Sequence, residues 1–323
     1  MSNALESLRR DINEIDSELL VLLAKRRRVS HGVVEYKIAN NKPIRDEQRE
    51  QALLEKLISY GSSLGLDGYY VNRVFQTIIE DSVLHQQAML QQNLNPDLHT
   101  ETNRVAYLGG QGSYSQLACH KYFSRRPGKL VELGCSSFNE ITNKVETGQA
   151  DFGLLPIENT CSGSINEVYD LLQHTNLFIV GEITQPIEHC LLTAVDTSLA
   201  KIKTIYAHGQ PFAQCSNFLD KQNNIRIEYC DSTADAMVKV SELKDETIAV
   251  IGSEEGGQLY QLQALEKSIA NQNENHSRFI LVARKAVDVA EQIPAKTAII
   301  LATGQKAGAL VECLLVLKEK GIN

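Results

Sequence analysis

The sequence predicts a multidomain protein in which an all-helical segment precedes an α/β segment. Residues 1–92 carry apolar side chains at helical spacing, whereas residues 104–285 alternate short apolar strands with helices. The intervening stretch, residues 93–103, is polar and contains a proline, which is typical of a linker. Residues 295–323 begin a third pattern, with one strand and one helix. We therefore expect two folded domains and the start of a third.

The first predicted helix carries an apolar seam at heptad spacing. The seam consists of Leu5, Leu8, Ile12, Ile15, Leu19 and Leu22. Arg26 takes the next seam position, and because the seam then resumes, we expect the helix to reach about Ile38. At about 100° per residue, Lys37 returns to nearly the face of Arg26. Since a buried cation is costly unless it meets an anion, the pair predicts a dicarboxylate pocket; a structural ion pair for Arg26 is the alternative.

Two further helices add polar groups to this segment. Asp46 is a candidate N-cap for a helix that runs to about Tyr60, with Arg49 near its start. A third helix, residues 69–92, carries Ser82 and Gln86 on a face that is apolar earlier. We expect both to line the pocket, although a helix end facing water is an equal alternative. Three helices cannot bury so long a seam, so we also predict a dimer with two first helices packed side by side.

Residues 5–90 resemble the all-helical chorismate mutases that are fused to prephenate dehydratase. The resemblance implies an intertwined dimer that holds chorismate in a compact shape and rearranges it to prephenate, without nucleophile, acid or metal. The positions that match catalytic residues of this family are Arg26, Lys37 and Gln86, and those that match substrate-binding residues are Arg9, Asp46, Arg49 and Ser82. Arg9 matches an arginine that family members lend to the partner subunit's site.

Polar loops follow several predicted strands of the α/β segment. After the strand at residues 105–108 come Gly109 to Ser115, and such a strand, glycine loop and helix can bind an anion through backbone N–H groups. A dinucleotide site is the competitor, because Gly110, Gly112 and Glu132 mimic its fingerprint. Ser115 replaces the third glycine, which makes that alternative weak; a plain tight turn is the third possibility.

Four strings in this segment together resemble prephenate dehydratase. They are GSYS at 112–115, PIENT at 156–160, HGQPF at 208–212 and SRF at 277–279. The resemblance implies two α/β lobes around a cleft, like the periplasmic binding proteins. The positions that match cleft residues of the family are Ser113, Glu158, Asn159, Thr160, Gln214, Ser277 and Arg278. Ser277 stands where the family usually has Thr, and residues 207–210 read AHGQ where relatives commonly read SHPQ.

The two resemblances imply a bifunctional enzyme of phenylalanine biosynthesis. In the second reaction prephenate loses carbon dioxide and water to give phenylpyruvate. Our hypothesis is that Ser277 assists the departing C4 hydroxyl and that Arg278 binds a substrate carboxylate, while Asn159 and the glycine-rich loop fix the other end. Two lobes around an anion-binding cleft also describe sensing or solute-binding modules, so a non-catalytic carboxylate or amino-acid binding protein is the alternative.

The third segment resembles the opening of an ACT regulatory domain. It comprises a predicted strand at 297–302, a turn, and a helix at 309–320 that includes the string GALV at 308–311. In the family this domain senses phenylalanine. Because one strand and one helix cannot close a core, we expect weak or absent feedback inhibition in this chain, with phenylalanine as an effector only if the ACT domain is complete.

Composition narrows the classes of function. A formal charge of −8 and a pI near 5.6 argue against nucleic acid as a partner. The chain begins with a charged amphipathic helix and has no run of about 20 apolar residues, so we expect neither a signal peptide nor a membrane span. Seven scattered cysteines without a CxxC pair fit reduced thiols in the cytoplasm. We see no metal-ligand cluster and expect no cofactor.

Overall fold

A computed structural model describes residues 2–98, 101–222, 225–272, 274–299 and 301–322. The chain divides into two compact units, Met1–Ile293 and Pro294–Asn323. The first unit contains both the helical part and the α/β part that the sequence predicts.

The helical part comprises α1 (Ser2–Ala39), α2 (Glu47–Ser63) and α3 (Gly68–Leu94), and these bounds confirm the predicted helices to within a few residues. Asp46 caps α2 as expected, because its side chain accepts a hydrogen bond from the backbone N–H of Arg49 at 3.1 Å. Two hydrogen-bonded pairs join α1 to α3, Arg27 with Asp81 and Ser30 with Gln86. The residue numbers increase in the same direction on both helices, so α1 and α3 run parallel.

The N-terminal half of α1 exposes its apolar seam. Leu8 is 60% exposed, Ile15 57% and Leu22 60%, whereas Val34, farther along the same helix, is fully buried. Within one chain, α1 therefore packs against α3 only from about Arg26 onwards, since the contacts of its side chains with α3 begin there.

The α/β part continues in chain order with β1 (Thr102–Leu108), α4 (Tyr114–Phe123), β2 (Lys129–Cys135), α5 (Phe138–Glu146), β3 (Phe152–Asn159), β4 (Gly163–Ser164), α6 (Asn166–His174), β5 (Phe178–Pro186), β6 (Cys190–Thr193), β7 (Thr204–Ala207), α7 (Gly209–Gln214), α8 (Ser216–Leu219), β8 (Arg226–Tyr229), α9 (Thr233–Leu243), β9 (Ile248–Gly252), α10 (Glu254–Leu259), β10 (Gln263–Glu266) and β11 (His276–Ala283).

These strands form two sheets, each at the centre of one lobe. The first lobe has the order β2-β1-β3-β11-β5, with β4 paired to β3, and the second has the order β10-β6-β9-β7-β8. In the first sheet β1, β2 and β3 are parallel and β11 runs antiparallel between β3 and β5. Helices cover both faces of this sheet, so β3 is buried at every position except Glu158.

The chain crosses between the lobes at residues 187–189 and again at residues 267–275. The two crossing segments bond to one another, because Ile187 N–H donates to the carbonyl of Asn275 at 2.8 Å and Ile269 N–H donates to that of His189 at 3.0 Å. The carboxyl end of β3 and the start of β11 lie at the same edge of the first sheet, next to these crossings. Ligands of open α/β sheets bind at such edges.

The helical part docks on the segment that follows β11. Asn95 exchanges hydrogen bonds with the backbone of Asp288, at 2.9 and 2.8 Å, and Ala290 is buried against Ile44 and Ile79. Arg125, after α4, reaches Asp81 of α3 at 2.9 Å. The helical and α/β parts therefore share a packed boundary.

Two predicted details were wrong. The sequence pattern predicts a buried strand from Phe152 to Ile157 with Glu158 and Asn159 in the loop that follows, but both residues belong to β3, because β11 and β4 pair with them. The strand expected at 297–302 does not form at residues 297–299 or 301–302, and residue 300 lies outside the described residues. A strand needs a neighbour for its backbone groups, and the described part of the second unit offers one helix, α11 (Ala309–Glu319).

Candidate functional sites

The contacts of Arg26 with α3 are hydrogen bonds to uncharged groups of that helix. Its guanidinium donates to the hydroxyl of Ser82 and to the carbonyl of Ile78 at 3.4 Å. The adjacent Arg27 pairs with a carboxylate, that of Asp81, at 3.0 Å. The described contacts of Arg26 thus differ from the structural ion pair that was its alternative, and they leave its charge available to an anion.

Lys37 and Gln86 form the second half of this cluster. The ammonium of Lys37 donates to Oε1 of Gln86 at 3.3 Å and to the carbonyl of Ile44, and Nε2 of Gln86 donates to Ser30 Oγ at 3.1 Å. Gln86 is only 7% exposed, so the alternative of a helix end facing water is wrong for this residue. Ser82 and Gln86 lie one turn apart on α3, which brings both cations of α1 to one face of that helix.

Burial and the nearby Arg49 lower the pKa of Lys37, and the carboxylates of Asp46 and Glu50 partly oppose that shift. Asp46 and Arg49, at the start of α2, are therefore electrostatic neighbours of Lys37. Arg9 is different, because it lies 17 residues before Arg26 on the same continuous helix, or about 25 Å away at 1.5 Å per residue. The chain does not bring Arg9 to its own cluster.

Asn159 is the centre of a second polar cluster, at the edge of the first sheet. Its side chain is 3% exposed, and its Nδ2 donates to Oδ1 of Asn275 at 2.7 Å, to the carbonyl of His276 at 3.2 Å and to Oγ of Ser277 at 3.0 Å. Its Oδ1 accepts from the backbone N–H groups of Cys161 and Ser162 at 3.0 and 2.9 Å. These bonds fix which way the Asn159 amide faces.

Gln214 joins this cluster from the second lobe. It lies at the end of α7, and its Nε2 donates to Oδ1 of Asn159 at 3.4 Å and to Oγ of Ser162 at 3.2 Å. Its Oε1 accepts from Nδ2 of Asn275 at 3.1 Å. Groups of both lobes therefore meet beside Ser277.

The other predicted residues lie around this centre with different partners. Arg278 pairs with Glu158 at 3.1 Å and with Glu182 at 3.5 Å, because β11 lies between β3 and β5. Thr160 donates to the carbonyl of Glu274 in the crossing segment and accepts from the backbone N–H of His276 at the start of β11. Ser113 caps α4 after the glycine-rich loop, where its Oγ accepts from the N–H of Gln116 at 3.2 Å.

The glycine-rich loop also touches the second lobe. A Cβ on Gly256, at the start of α10, would lie 2.5 Å from the carbonyl oxygen of Gly112, so the backbones approach too closely for a side chain. Tyr260 donates from its hydroxyl to the carbonyl of Gln111 at 2.8 Å. The anion-binding loop predicted from sequence thus lies at the boundary between the lobes.

Sequence reasoning missed three polar residues of the second cluster. Asn275 bonds to Asn159 directly, and His189 and Tyr114 are linked to it through Gln214. Tyr114 lies in the GSYS string without having been assigned a role, and His189 and Asn275 lie in no motif. His189 and Asn275 occupy the two crossing segments and are 1% and 4% exposed. The one signal that could have identified them is a polar residue beside apolar strand residues, as in His189 before the strand that begins at Cys190.

A helical part with two cations on one face of α3 and a two-lobed α/β part with a polar sheet edge are the features expected of a protein that binds small organic anions. Comparison with known proteins specifies the class. A family model for chorismate mutase type II matches residues 8–87, and one for prephenate dehydratase matches residues 105–287.

Close relatives cover nearly the whole chain. The bifunctional chorismate mutase/prephenate dehydratase of Enterobacter agglomerans is 53% identical over 99% of this chain and 82% of its own length, and that of Escherichia coli K12 is 52% identical over 99% and 83%. Among solved structures, the prephenate dehydratase of Arthrobacter aurescens in complex with L-Phe has a TM-score of 0.58 at 25% identity, over 68% of this chain and 73% of that one. That of Staphylococcus aureus has a TM-score of 0.54 at 26% identity, over 68% and 80%.

The chain belongs to the family of bifunctional chorismate mutase/prephenate dehydratases. It rearranges chorismate to prephenate and converts prephenate to phenylpyruvate in phenylalanine biosynthesis, and the alternative of a non-catalytic binding protein is not supported by these relatives. Among the described residues, no helix is both long and apolar enough to cross a membrane.

Proposed function

We propose that chorismate binds between α1 and α3, where Arg26 and Lys37 take its two carboxylates while Gln86 and Ser82 supply hydrogen bonds near the ether oxygen. The observation that carries this proposal is the convergence of both cations on one face of α3, with neutral partners. Asp46 and Arg49 would complete the binding site from α2. Catalysis then follows from holding the reacting carbons close and from fixed charges around the developing transition state.

We further propose that the mutase site is completed across a homodimer formed by two α1 helices. The seam of α1 supports this, because it exposes large apolar side chains along several turns of one chain. Arg9 lies beside that seam and far from Arg26 of its own chain. In a side-by-side pairing it could reach the partner subunit's pocket, as the family resemblance implies.

The dimer is tested by placing a charge on the seam. We expect Ile15→Glu to shift the protein to monomers in sedimentation velocity and to lower mutase turnover, with dehydratase turnover retained. Ser17→Glu adds the same charge on the opposite face of α1, so the dimer and mutase activity should persist. An Ile15→Glu protein that remains dimeric would contradict the proposal.

For the dehydratase we propose that Ser277 donates a hydrogen bond to the departing C4 hydroxyl of prephenate. Loss of the carboxylate as carbon dioxide leaves its bonding electrons in the ring, which expels the hydroxyl as the ring becomes aromatic. The bond from Asn159 Nδ2 to Ser277 Oγ, at 3.0 Å, carries this proposal. Because Oγ accepts there, the hydrogen of the serine hydroxyl can turn towards a substrate oxygen.

The remaining cleft residues are proposed to bind the substrate. Gln214 and Thr160 flank Ser277, and Ser113 with the glycine-rich loop can present backbone N–H groups to a carboxylate. Arg278 remains a candidate for the other carboxylate. A substrate there would compete with Glu158 and Glu182, which balance its charge in this structure.

Crossed variants test both sites in one protein. Purified enzyme is given chorismate or prephenate, and both products are followed. We expect Arg26→Ala to abolish only the first reaction and Ser277→Ala only the second, while Arg28→Ala, an exposed arginine on the same helix, and Ser277→Thr, which keeps the hydroxyl, stay active. Unchanged turnover of Ser277→Ala would remove Ser277 from the mechanism.

Regulation and location are also proposed. We propose that phenylalanine acts as an effector only where the ACT domain is complete, because α11 leaves Leu310 and Leu314 about half exposed within the described residues. All seven cysteines are free thiols, which supports a reducing, cytoplasmic location.

A further inference from the structure

His189 lies where the chain first crosses from the first lobe to the second, and both of its ring nitrogens have partners. Nε2 is 2.7 Å from Oε1 of Gln214, and Nδ1 is 3.0 Å from the hydroxyl oxygen of Tyr114. The side chain is 1% exposed. A buried imidazole with two polar partners is held in one orientation.

The partner at Nε2 fixes the position of the imidazole proton. The amide oxygen of Gln214 can only accept, so Nε2 must carry hydrogen. The same oxygen accepts from Nδ2 of Asn275 at 3.1 Å, while the amide nitrogen of Gln214 faces Oδ1 of Asn159 and Oγ of Ser162. Turning the Gln214 amide over would bring its NH₂ group against two other donors. His189 and Asn275 therefore determine the orientation of Gln214.

The same logic continues from Gln214 to the serine of the dehydratase site. Oδ1 of Asn159 faces three donors, from Gln214 and from the backbone of residues 161 and 162. Its NH₂ group must then face Asn275 and Ser277. Ser277 Oγ is thereby held as an acceptor, which is the state that leaves its hydrogen for a substrate oxygen.

We propose that His189 is a positioning residue of the dehydratase reaction, acting through Gln214 and Asn159 to hold Ser277 in its donating orientation. The inference rests on the proposed role of Ser277. Burial lowers the pKa of His189, although the hydrogen bond with Gln214 opposes this shift. A neutral ring with its hydrogen on Nε2 leaves Nδ1 as an acceptor for the hydroxyl of Tyr114, whose single hydrogen is shared between Nδ1 at 3.0 Å and the carbonyl of Glu188 at 2.8 Å. Because the ring is uncharged in this state, His189 acts by setting the direction of its hydrogen bonds.

The test replaces His189 in the whole chain described here, once with a residue that can donate a hydrogen bond and once with a residue that cannot. Gln places an amide NH₂ group near the position of Nε2, whereas Leu fills similar space without a donor. We expect His189→Leu to lower dehydratase kcat about 10- to 100-fold with KM changed less than about twofold, and His189→Gln to recover most of the loss. Mutase turnover and Tm, measured on the same samples, control for folding. Equal losses in both variants would overturn the proposal.

A double variant separates this inference from the proposed function. If His189 acts through Ser277, the His189→Leu/Ser277→Ala protein should be no slower than Ser277→Ala alone, because the two changes remove one interaction. A further loss in the double variant would overturn the positioning role. An active Ser277→Ala protein would instead overturn the proposed function itself.

Discussion

Replacing Asn159 with Asp is the sharpest probe of the dehydratase cluster, because it exchanges one NH₂ group for an oxygen and changes little else in shape. The aspartate can still accept from the backbone N–H groups of residues 161 and 162. Asn159 donates to Asn275, His276 and Ser277 at 2.7, 3.2 and 3.0 Å, whereas an ionised carboxylate cannot donate to them and a protonated acid has a single O–H in place of two N–H donors. The change therefore isolates the donor half of the amide.

The size of the effect follows from those three bonds. The two hydrogens of the amide serve all three acceptors, and each hydrogen bond contributes about 0.5–1.5 kcal/mol net, so their loss should lower the free energy of unfolding by about 1–3 kcal/mol. A carboxylate at this buried position would face the carbonyl of His276 and Oδ1 of Asn275, which raises its pKa and favours the protonated form. The single O–H of that form serves three acceptors, so Ser277 no longer has a donor of its own to orient it, and we expect dehydratase kcat to fall about 10²- to 10³-fold.

The assay compares both reactions and thermal unfolding in one preparation. Mutase turnover should stay near that of the wild type, since its cluster lies on α1 and α3. Asn217→Asp makes the same chemical change at an exposed asparagine of α8, and it should leave dehydratase turnover intact. Dehydratase activity within threefold of the wild type in Asn159→Asp would refute the reasoning, and so would a parallel loss of mutase activity.

Three further outcomes are expected. Burial and Arg49 lower the pKa of Lys37, so mutase kcat/KM should fall as pH rises through that lowered pKa, and a pH profile of Lys37→Gln should lack this limb at a rate reduced about 10²- to 10³-fold. Gly153→Ala would place a Cβ 2.8–3.1 Å from buried side chains of α5 and β11 and should cost about 1–3 kcal/mol in denaturant unfolding, whereas Gly209→Ala meets nothing within 4 Å and should be neutral. Burial alone would raise the pKa of Asp151, but hydrogen bonds from Arg104 outweigh it and lower the pKa, so Asp151→Asn should lower Tm near neutral pH. That difference in Tm should shrink as pH falls through the lowered pKa, and a constant difference would argue against the ion pair.

The helical part could be predicted closely because its signals are local. Helix hydrogen bonds join residues four apart, so the seam of α1 and the cap at Asp46 are visible in short stretches of sequence. The spacing of Arg26 and Lys37 also predicted that they share nearly one face of α1, and in the structure both bond to side chains of α3. These local signals do not predict which surface covers the seam, since the seam is exposed within one chain.

The dehydratase cluster was only partly predictable, because it depends on contacts between distant parts of the chain. The motif residues Asn159, Gln214 and Ser277 do meet. Arg278 turned out to lie between two carboxylates, which follows from the antiparallel register of β11 with β3 and β5. The strand expected at 297–302 failed at its described residues, since its pattern says nothing about a pairing partner.

The sequence by itself determined the order of domains, the helices and caps, and the residue types that each site requires, because these depend on periodicity and on neighbours along the chain. Tertiary structure alone decided how His189, Gln214 and Asn275 surround Asn159. Two crossings between lobes bring those groups together, and each hydrogen bond among them joins residues that are 25 or more positions apart. The direction of those bonds, and hence the state of Ser277, exists only in the folded chain.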